Sequence, residues 1–181
     1  MSIVILDAME GKNSISIILK EKLQAGNELA YFKLEDMNVA PCRSCGACGF
    51  KSPGKCVVND DSHKILEAIA RGNVLVMLTP IRFGGYSSTL KKAVDKFMNL
   101  CLPSYAVKHG HLVHPARYGS KSIVAIGINE GDSKEQEESF KKLTENNALN
   151  LQASCETIVF KASGDIELIA GEISRLFKEV C

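Results

Sequence analysis

Four cysteines stand within fifteen positions, in the run Pro41-Cys42-Arg43-Ser44-Cys45-Gly46-Ala47-Cys48-Gly49-Phe50-Lys51-Ser52-Pro53-Gly54-Lys55-Cys56. Cys42, Cys45 and Cys48 are separated by two residues each, and the small Ser44, Gly46 and Ala47 let the loop fold back so that all three can face one centre. Cys56 returns after the turn expected at Pro53-Gly54. Thiolates at this spacing suit an iron–sulfur cluster or structural zinc. The competing reading is free thiols, redox-active or simply packed in a loop. Seven cysteines is an odd number, and their crowding suits metal or redox chemistry in a reducing compartment better than a disulfide framework. Cys101, Cys155 and Cys181 lie outside the motif, and Cys155, at the start of a strand, reads as a core residue.

Three further loops carry groups suited to a ligand. In Asp7-Ala8-Met9-Glu10-Gly11-Lys12-Asn13-Ser14, Gly11 lets the backbone turn so that successive N–H groups point at a phosphate, and Ser14 is a candidate helix cap. The same turn can serve without a ligand, and the carboxylates of Asp7 and Glu10 oppose a phosphate unless they point away. Thr79-Pro80-Ile81-Arg82-Phe83-Gly84-Gly85-Tyr86-Ser87-Ser88 combines a rigid turn, an aromatic side chain and exposed amides, which suits the edge of a flat ring. Asn129-Glu130-Gly131 is the third. His109, His111 and His114 have metal-compatible spacing but read as an irregular surface or dimer-contact loop. No Ser-His-Asp pattern, paired catalytic acids or His-Glu-x-x-His run supports hydrolysis.

The elements that must position these loops are legible. Ile3 to Leu6, Val74 to Leu78 and Ser122 to Ile128 are continuous apolar runs, expected of parallel strands covered on both faces. Weaker strands read at Glu28 to Leu34 and Thr157 to Lys161. Helical spacing falls at Ile15 to Ala25, His63 to Arg71, Leu90 to Leu100, Ser133 to Ala148 and Ile166 to Val180. In the third, Leu90, Val94, Phe97 and Met98 recur at three- and four-residue steps, which puts Lys91, Lys92, Asp95 and Lys96 on the polar face. Strictly alternating strands and helices predict a mainly parallel sheet with helices on both sides, in the order 2-1-3-4-5. Ligands of such sheets sit beyond the carboxyl ends of the strands where the order reverses. That is the place from which the loops after the first, third and fourth strands emerge.

Composition narrows the partners. The 22 Lys and Arg are scattered among 21 acids for a net charge of +1, so no basic footprint for nucleic acid exists. No apolar run approaches the roughly 18 residues needed to cross a bilayer. The first residues lack the basic lead and cleavage site of a signal peptide, and a cytoplasmic location is expected. The length predicts a single domain over 1–181, with a Cys-rich loop at 41–60.

From Thr79 to Asp95 the sequence resembles the NAD(P)H-dependent FMN reductases of the flavodoxin-like superfamily, and within them the iron–sulfur flavoproteins. The resembling features are a strand ending in Thr-Pro, an aromatic and Gly-rich loop, then Leu90-Lys91 and Asp95. The cysteine motif followed by Asp60-Asp61 resembles the same group. The resemblance implies a three-layer flavodoxin-like α/β fold and an FMN-dependent oxidoreductase or electron-transfer flavoprotein with NAD(P)H as co-substrate. It implies FMN across Gly11, Asn13, Ser14 and Ser16, across Thr79, Pro80, Ile81, Arg82, Phe83 and Gly84, and across Asn129, Glu130 and Gly131. Cys42, Cys45, Cys48 and Cys56 would hold a [4Fe-4S] cluster. It further implies a small-molecule or protein electron donor and acceptor, and a homodimer or higher homo-oligomer. The chain departs from the family where Gly-Ser-Pro-Arg is usual, having Asp7-Ala8-Met9-Glu10 instead, and Arg82 stands where an aromatic residue is common. The alternative is a flavodoxin-like binding or scaffold protein that has lost flavin and uses its cysteines for a metal or a partner.

Overall fold

The apolar runs pair into one five-stranded parallel sheet in the order β2-β1-β3-β6-β7. Its strands are β1 (Ser2–Asp7), β2 (Glu28–Lys33), β3 (Val74–Pro80), β6 (Ser122–Asn129) and β7 (Ser154–Lys161). This computed structural model describes residues 1–108 and 110–180; His109 and Cys181, both singled out in the sequence, lie outside them. Strand order and parallel pairing match the expectation from the sequence.

Alternate side chains of the central strands feed two cores. Ile3, Ile5, Val74, Val76, Val124 and Ile126 pack on one face against Ile15, Leu19 and Leu23 of α1 (Ser14–Gln24) and Ile169 and Ile173 of α6 (Ile166–Val180). Val4, Leu6, Leu75, Met77, Ile123 and Ala125 pack on the other. Their partners are α3 (Ser62–Arg71), α4 (Ser88–Val94) and α5 (Lys134–Leu151), through Ile65, Ile69, Leu90, Ala93 and Phe140. Strands apolar on every residue are thus explained by helices on both sides.

Two local readings are corrected. The helix expected over Leu90 to Leu100 stops at Val94, and a 3-10 turn follows at Phe97–Leu100. Lys96, expected on a polar face, is 1% exposed, whereas Met98 is 47% exposed. The tighter winding, seen in the Lys96 N–H bond to Ala93 O at 3.0 Å, turns the lysine inward, where an acid receives it. The second correction concerns 101–121: it holds a short antiparallel hairpin of β4 (Ala106–Lys108) and β5 (His111–Val113). Here His111 is exposed, and His114 ties the loop through Nδ1, 3.0 Å from the carbonyls of Leu102 and Ser104.

Gly127 shows how tightly the second core closes on β6. A Cβ there would lie 2.8 Å from the Phe140 ring and 2.9 Å from Ile81 Cδ1. Gly127→Ala is expected to destabilise the fold by about 1–3 kcal/mol, as overpacking does. Urea unfolding measures this, and an unchanged midpoint would mean that the ring and Ile81 move aside freely.

Candidate functional site

Register brings the predicted loops to one edge of the sheet. Ala8 N–H donates to Leu78 O at 2.8 Å, and Ile81 N–H donates to Ile128 O at 2.8 Å. The chain therefore leaves β1, β3 and β6 side by side, at the reversal of strand order between β1 and β3.

In the first loop Asp7 is fully buried. It accepts from Met9 N–H at 2.9 Å and from the Tyr31 hydroxyl, and lies 3.6 Å from Lys33 Nζ. Burial, reinforced by the Asp7 hydrogen bond and charge, pushes the Tyr31 phenol above its usual range. Asp7 is paired with Lys33 in the β1–β2 register, so this carboxylate is neutralised across the strands. The α1 cap is Asn13 rather than Ser14: its side chain accepts from Ile15 N–H at 2.9 Å and Ser16 N–H at 3.4 Å. Asn13 is the better cap because it keeps extended backbone, while Ser14 is already helical. The N–H groups of Lys12, Asn13 and Ser14 have no acceptor among the described residues. Ser16 Oγ is buried without a hydrogen-bond partner. Open donors and an orphaned hydroxyl at the start of an eleven-residue helix fit a phosphate. One donor is already engaged: Gly11, at φ 58°, gives its N–H to Glu35 Oε2 at 2.9 Å.

The second loop is a tight turn. Arg82 and Gly85 exchange backbone hydrogen bonds of 3.0 and 2.9 Å, with Phe83 and Gly84 both at positive φ between them. Gly84 sits against α5, where a Cβ would lie 2.8 Å from that of Ser139. This seating holds Phe83 at the tip, fully exposed. Ser87 N–H bonds Thr79 Oγ1 at 3.1 Å and closes the base of the loop. Tyr86 packs edge-to-face on Phe140 at 5.8 Å, and burial pushes its phenol up to about 12.

Arg82 forms an ion pair with Glu130, which joins the second loop to the third. The hydrogen bond to Glu130, and more weakly the charge of Glu10, raise the guanidinium, and Arg82 lowers the Glu130 carboxyl. Asn129 is buried and serves as a bracket: its oxygen accepts from Gly131 N–H at 3.1 Å and its amide donates to Glu137 at 3.0 Å. Thr79, Ile81 and Asn129 thus shape the loops from within, while Arg82, Phe83 and Glu130 present side chains at the surface.

Cys42, Cys45, Cys48 and Cys56 all line one cavity of about 30 Å³ between their loop and the Lys96–Asn99 turn. Ser44 and Gly46 take positive φ, and Ser44 N–H points at Cys42 Sγ at 3.4 Å. These turns bring Ala47 to the start of α2 (Ala47–Phe50). The donor chemistry suits a soft metal centre. Among the described residues, however, no three His, Cys, Asp or Glu side chains are close enough together to hold a metal ion. Burial, and then the neighbouring Cys42, Cys56 and Cys45, push the Cys48 thiol up. Cys101 is buried and Cys155 half-buried, both raised by burial.

Two adjacent acids clip the ends of this loop together. Asp60 accepts from Ala40 N–H at 2.9 Å and Ser62 N–H at 3.0 Å, and Asp61 accepts from Asn38 N–H at 3.0 Å. Lys96 Nζ reaches Asp60 at 2.5 Å and Ser62 Oγ at 3.1 Å. The Asp60 and Lys96 side chains are 3% and 1% exposed. Burial alone would raise the Asp60 carboxyl, but Lys96, Ser62 and the backbone donors hold it down at about 2. Sequence reasoning missed Lys33, Glu35 and Lys96. The first was within reach: parallel pairing of the first two strands places Tyr31 and Lys33 beside Ile5 and Asp7.

A family model for NADPH-dependent FMN reductase matches residues 1–153. An iron-sulfur flavoprotein of Methanocaldococcus jannaschii is 30% identical over 89 residues, 47% of this chain and 45% of its own length. The chain spans about half the length of the curated relatives it matches. Among solved structures, azoreductase AzrA superposes with a TM-score of 0.71 at 13% identity, covering 99% of this chain and 100% of its own. An FMN-dependent NADH-azoreductase from Bacillus anthracis in complex with FMN gives 0.65 at 16% identity, covering 98% and 97%. At such identities these structures speak for the fold. Among the described residues no helix is long and apolar enough to cross a membrane.

Proposed function

The chain belongs to the NADPH-dependent FMN reductase family, and from that premise we propose that it is a flavin-dependent oxidoreductase. It holds FMN across the three loops, takes reducing equivalents from NAD(P)H and passes them to a small-molecule or protein acceptor. The observation that carries this reading is the anion seat at the start of α1: open N–H groups at Lys12 to Ser14 above the orphaned Ser16 hydroxyl. Bound flavin supplies the electron chemistry; the residues supply phosphate donors, an aromatic wall and access. Phe83, held at a turn tip with its ring free, is the wall. Arg82 and Glu130 brace the rim against each other. The alternative of a flavin-less scaffold leans on Asp7 and Glu10, and it loses Asp7, whose charge is engaged by Lys33 and Tyr31.

A second redox centre, a [4Fe-4S] cluster on Cys42, Cys45, Cys48 and Cys56, is part of the proposal. The four residues line one cavity, and since among the described residues no three of them stand close enough to hold a metal ion, ligation requires the loop to draw its thiols together. A single domain and a cytoplasmic location, on the length and composition of the chain, and a homodimer or higher homo-oligomer, on family resemblance, complete the proposal.

Anaerobic titration of the purified protein with FMN tests the flavin reading. Flavin fluorescence is expected to quench on binding, and NADPH to bleach the bound flavin's absorbance. Ser14→Asp is expected to weaken FMN about tenfold or more, since it sets a negative charge beside the phosphate. No quenching after reconstitution would overturn the reading, and an unchanged Ser14→Asp affinity would move the phosphate elsewhere.

A further inference from the structure

We infer that Glu35 determines how strongly the site prefers phosphorylated over unphosphorylated flavin, by acting as an internal anion at the phosphate seat. The inference rests on the flavin reading above.

Glu35 lies in the 3-10 turn Leu34–Asp36 that follows β2. Its Oε2 accepts the Gly11 N–H at 2.9 Å. Gly11 holds φ 58°, the left-handed conformation that turns successive amides toward a common anion. A carboxylate of the chain itself therefore already fills one backbone donor of this loop.

Lys33 keeps that carboxylate in place. Its Nζ lies 3.7 Å from Glu35 Oε1, donates to Met9 O at 2.5 Å and stands 3.6 Å from Asp7 Oδ2. One ammonium is thus shared among three oxygens, and two of its neighbours are carboxylates. It cannot also neutralise an incoming dianion. A phosphate arriving at Lys12 to Ser14 meets Glu35 one residue away and finds the Gly11 N–H taken. The hydroxyl end of riboflavin carries no charge and meets no such opposition. The Glu35 side chain is 34% exposed, so solvent and phosphate can compete for its place.

Fluorescence titration of wild type, Glu35→Gln and Glu35→Ala with FMN and with riboflavin decides the matter. Glu35→Gln removes the charge, and Glu35→Ala removes the acceptor as well. Both are expected to tighten FMN about tenfold, the size of one charge-assisted contact, and to leave riboflavin within about twofold. The gain should shrink at high salt, where the charge is screened. Far-UV circular dichroism confirms that both variants fold. Equal changes for the two flavins, or no change for either, would overturn the role of Glu35 while leaving the flavin reading intact. Failure of wild type and variants to bind either flavin would overturn the flavin reading itself, and this inference with it.

Discussion

Lys96→Met is expected to destabilise the folded protein by about 3–5 kcal/mol, because it leaves the Asp60 carboxylate buried without its partner. The Asp60 and Lys96 side chains are 3% and 1% exposed and meet at 2.5 Å. Methionine matches the length of the lysine stem and leaves little cavity, so the loss isolates the charge. Against a typical total of about 5–15 kcal/mol, that is a large share. The effect is also pH-dependent, with a definite sign. Asp60 titrates at about 2 in the folded chain against an ordinary 3.8. A depressed carboxyl contributes stability that is fully present above the unfolded value and is lost as pH falls through the folded one. The gap between wild type and Lys96→Met should therefore be widest at neutral pH and narrow as pH falls. It narrows first as the Asp60 carboxyl that burial raises in the variant takes up its proton, then, below pH ~4, as wild type loses the contribution of the pair toward pH ~2. Urea unfolding across that range measures it. A gap below about 1 kcal/mol at neutral pH would show that the pair contributes no more than a surface salt bridge.

Cys45→Ala is expected to abolish metal binding while leaving FMN affinity unchanged. Each thiolate of a four-cysteine site is a ligand, and removing one opens the coordination shell to solvent and oxygen. The flavin seat proposed above would draw on Gly11 to Ser16 and on the Phe83 turn, none of which line the cysteine cavity. Because cysteine coordinates a metal as the thiolate, binding releases protons, and metal affinity should rise with pH. Iron, sulfide and zinc analysis after anaerobic reconstitution of both proteins is the measurement. A metal-free wild type would refute ligation; equal metal in both would exclude Cys45 as a required ligand.

The sheet order and the position of the loops were legible in the sequence because the central strands are apolar on every residue, and that pattern requires cover on both faces. The cysteine motif was legible because its spacing is local. By itself, then, the sequence determined the architecture and the edge of the sheet at which its loops gather. Local spacing misplaced Lys96: it assigned the lysine to a solvent face, and only the meeting with Asp60, thirty-six positions away, shows why the helix tightens and carries it inward. The same holds for Asp7, read as an obstacle to phosphate but neutralised by residues of β2. Glu35 carried no signal of its own, since an acid in a turn after a strand is ordinary until pairing sets it against Gly11. Tertiary structure decided where each charge went, because a buried or shared charge is fixed by partners brought together across the fold and not by its neighbours along the chain.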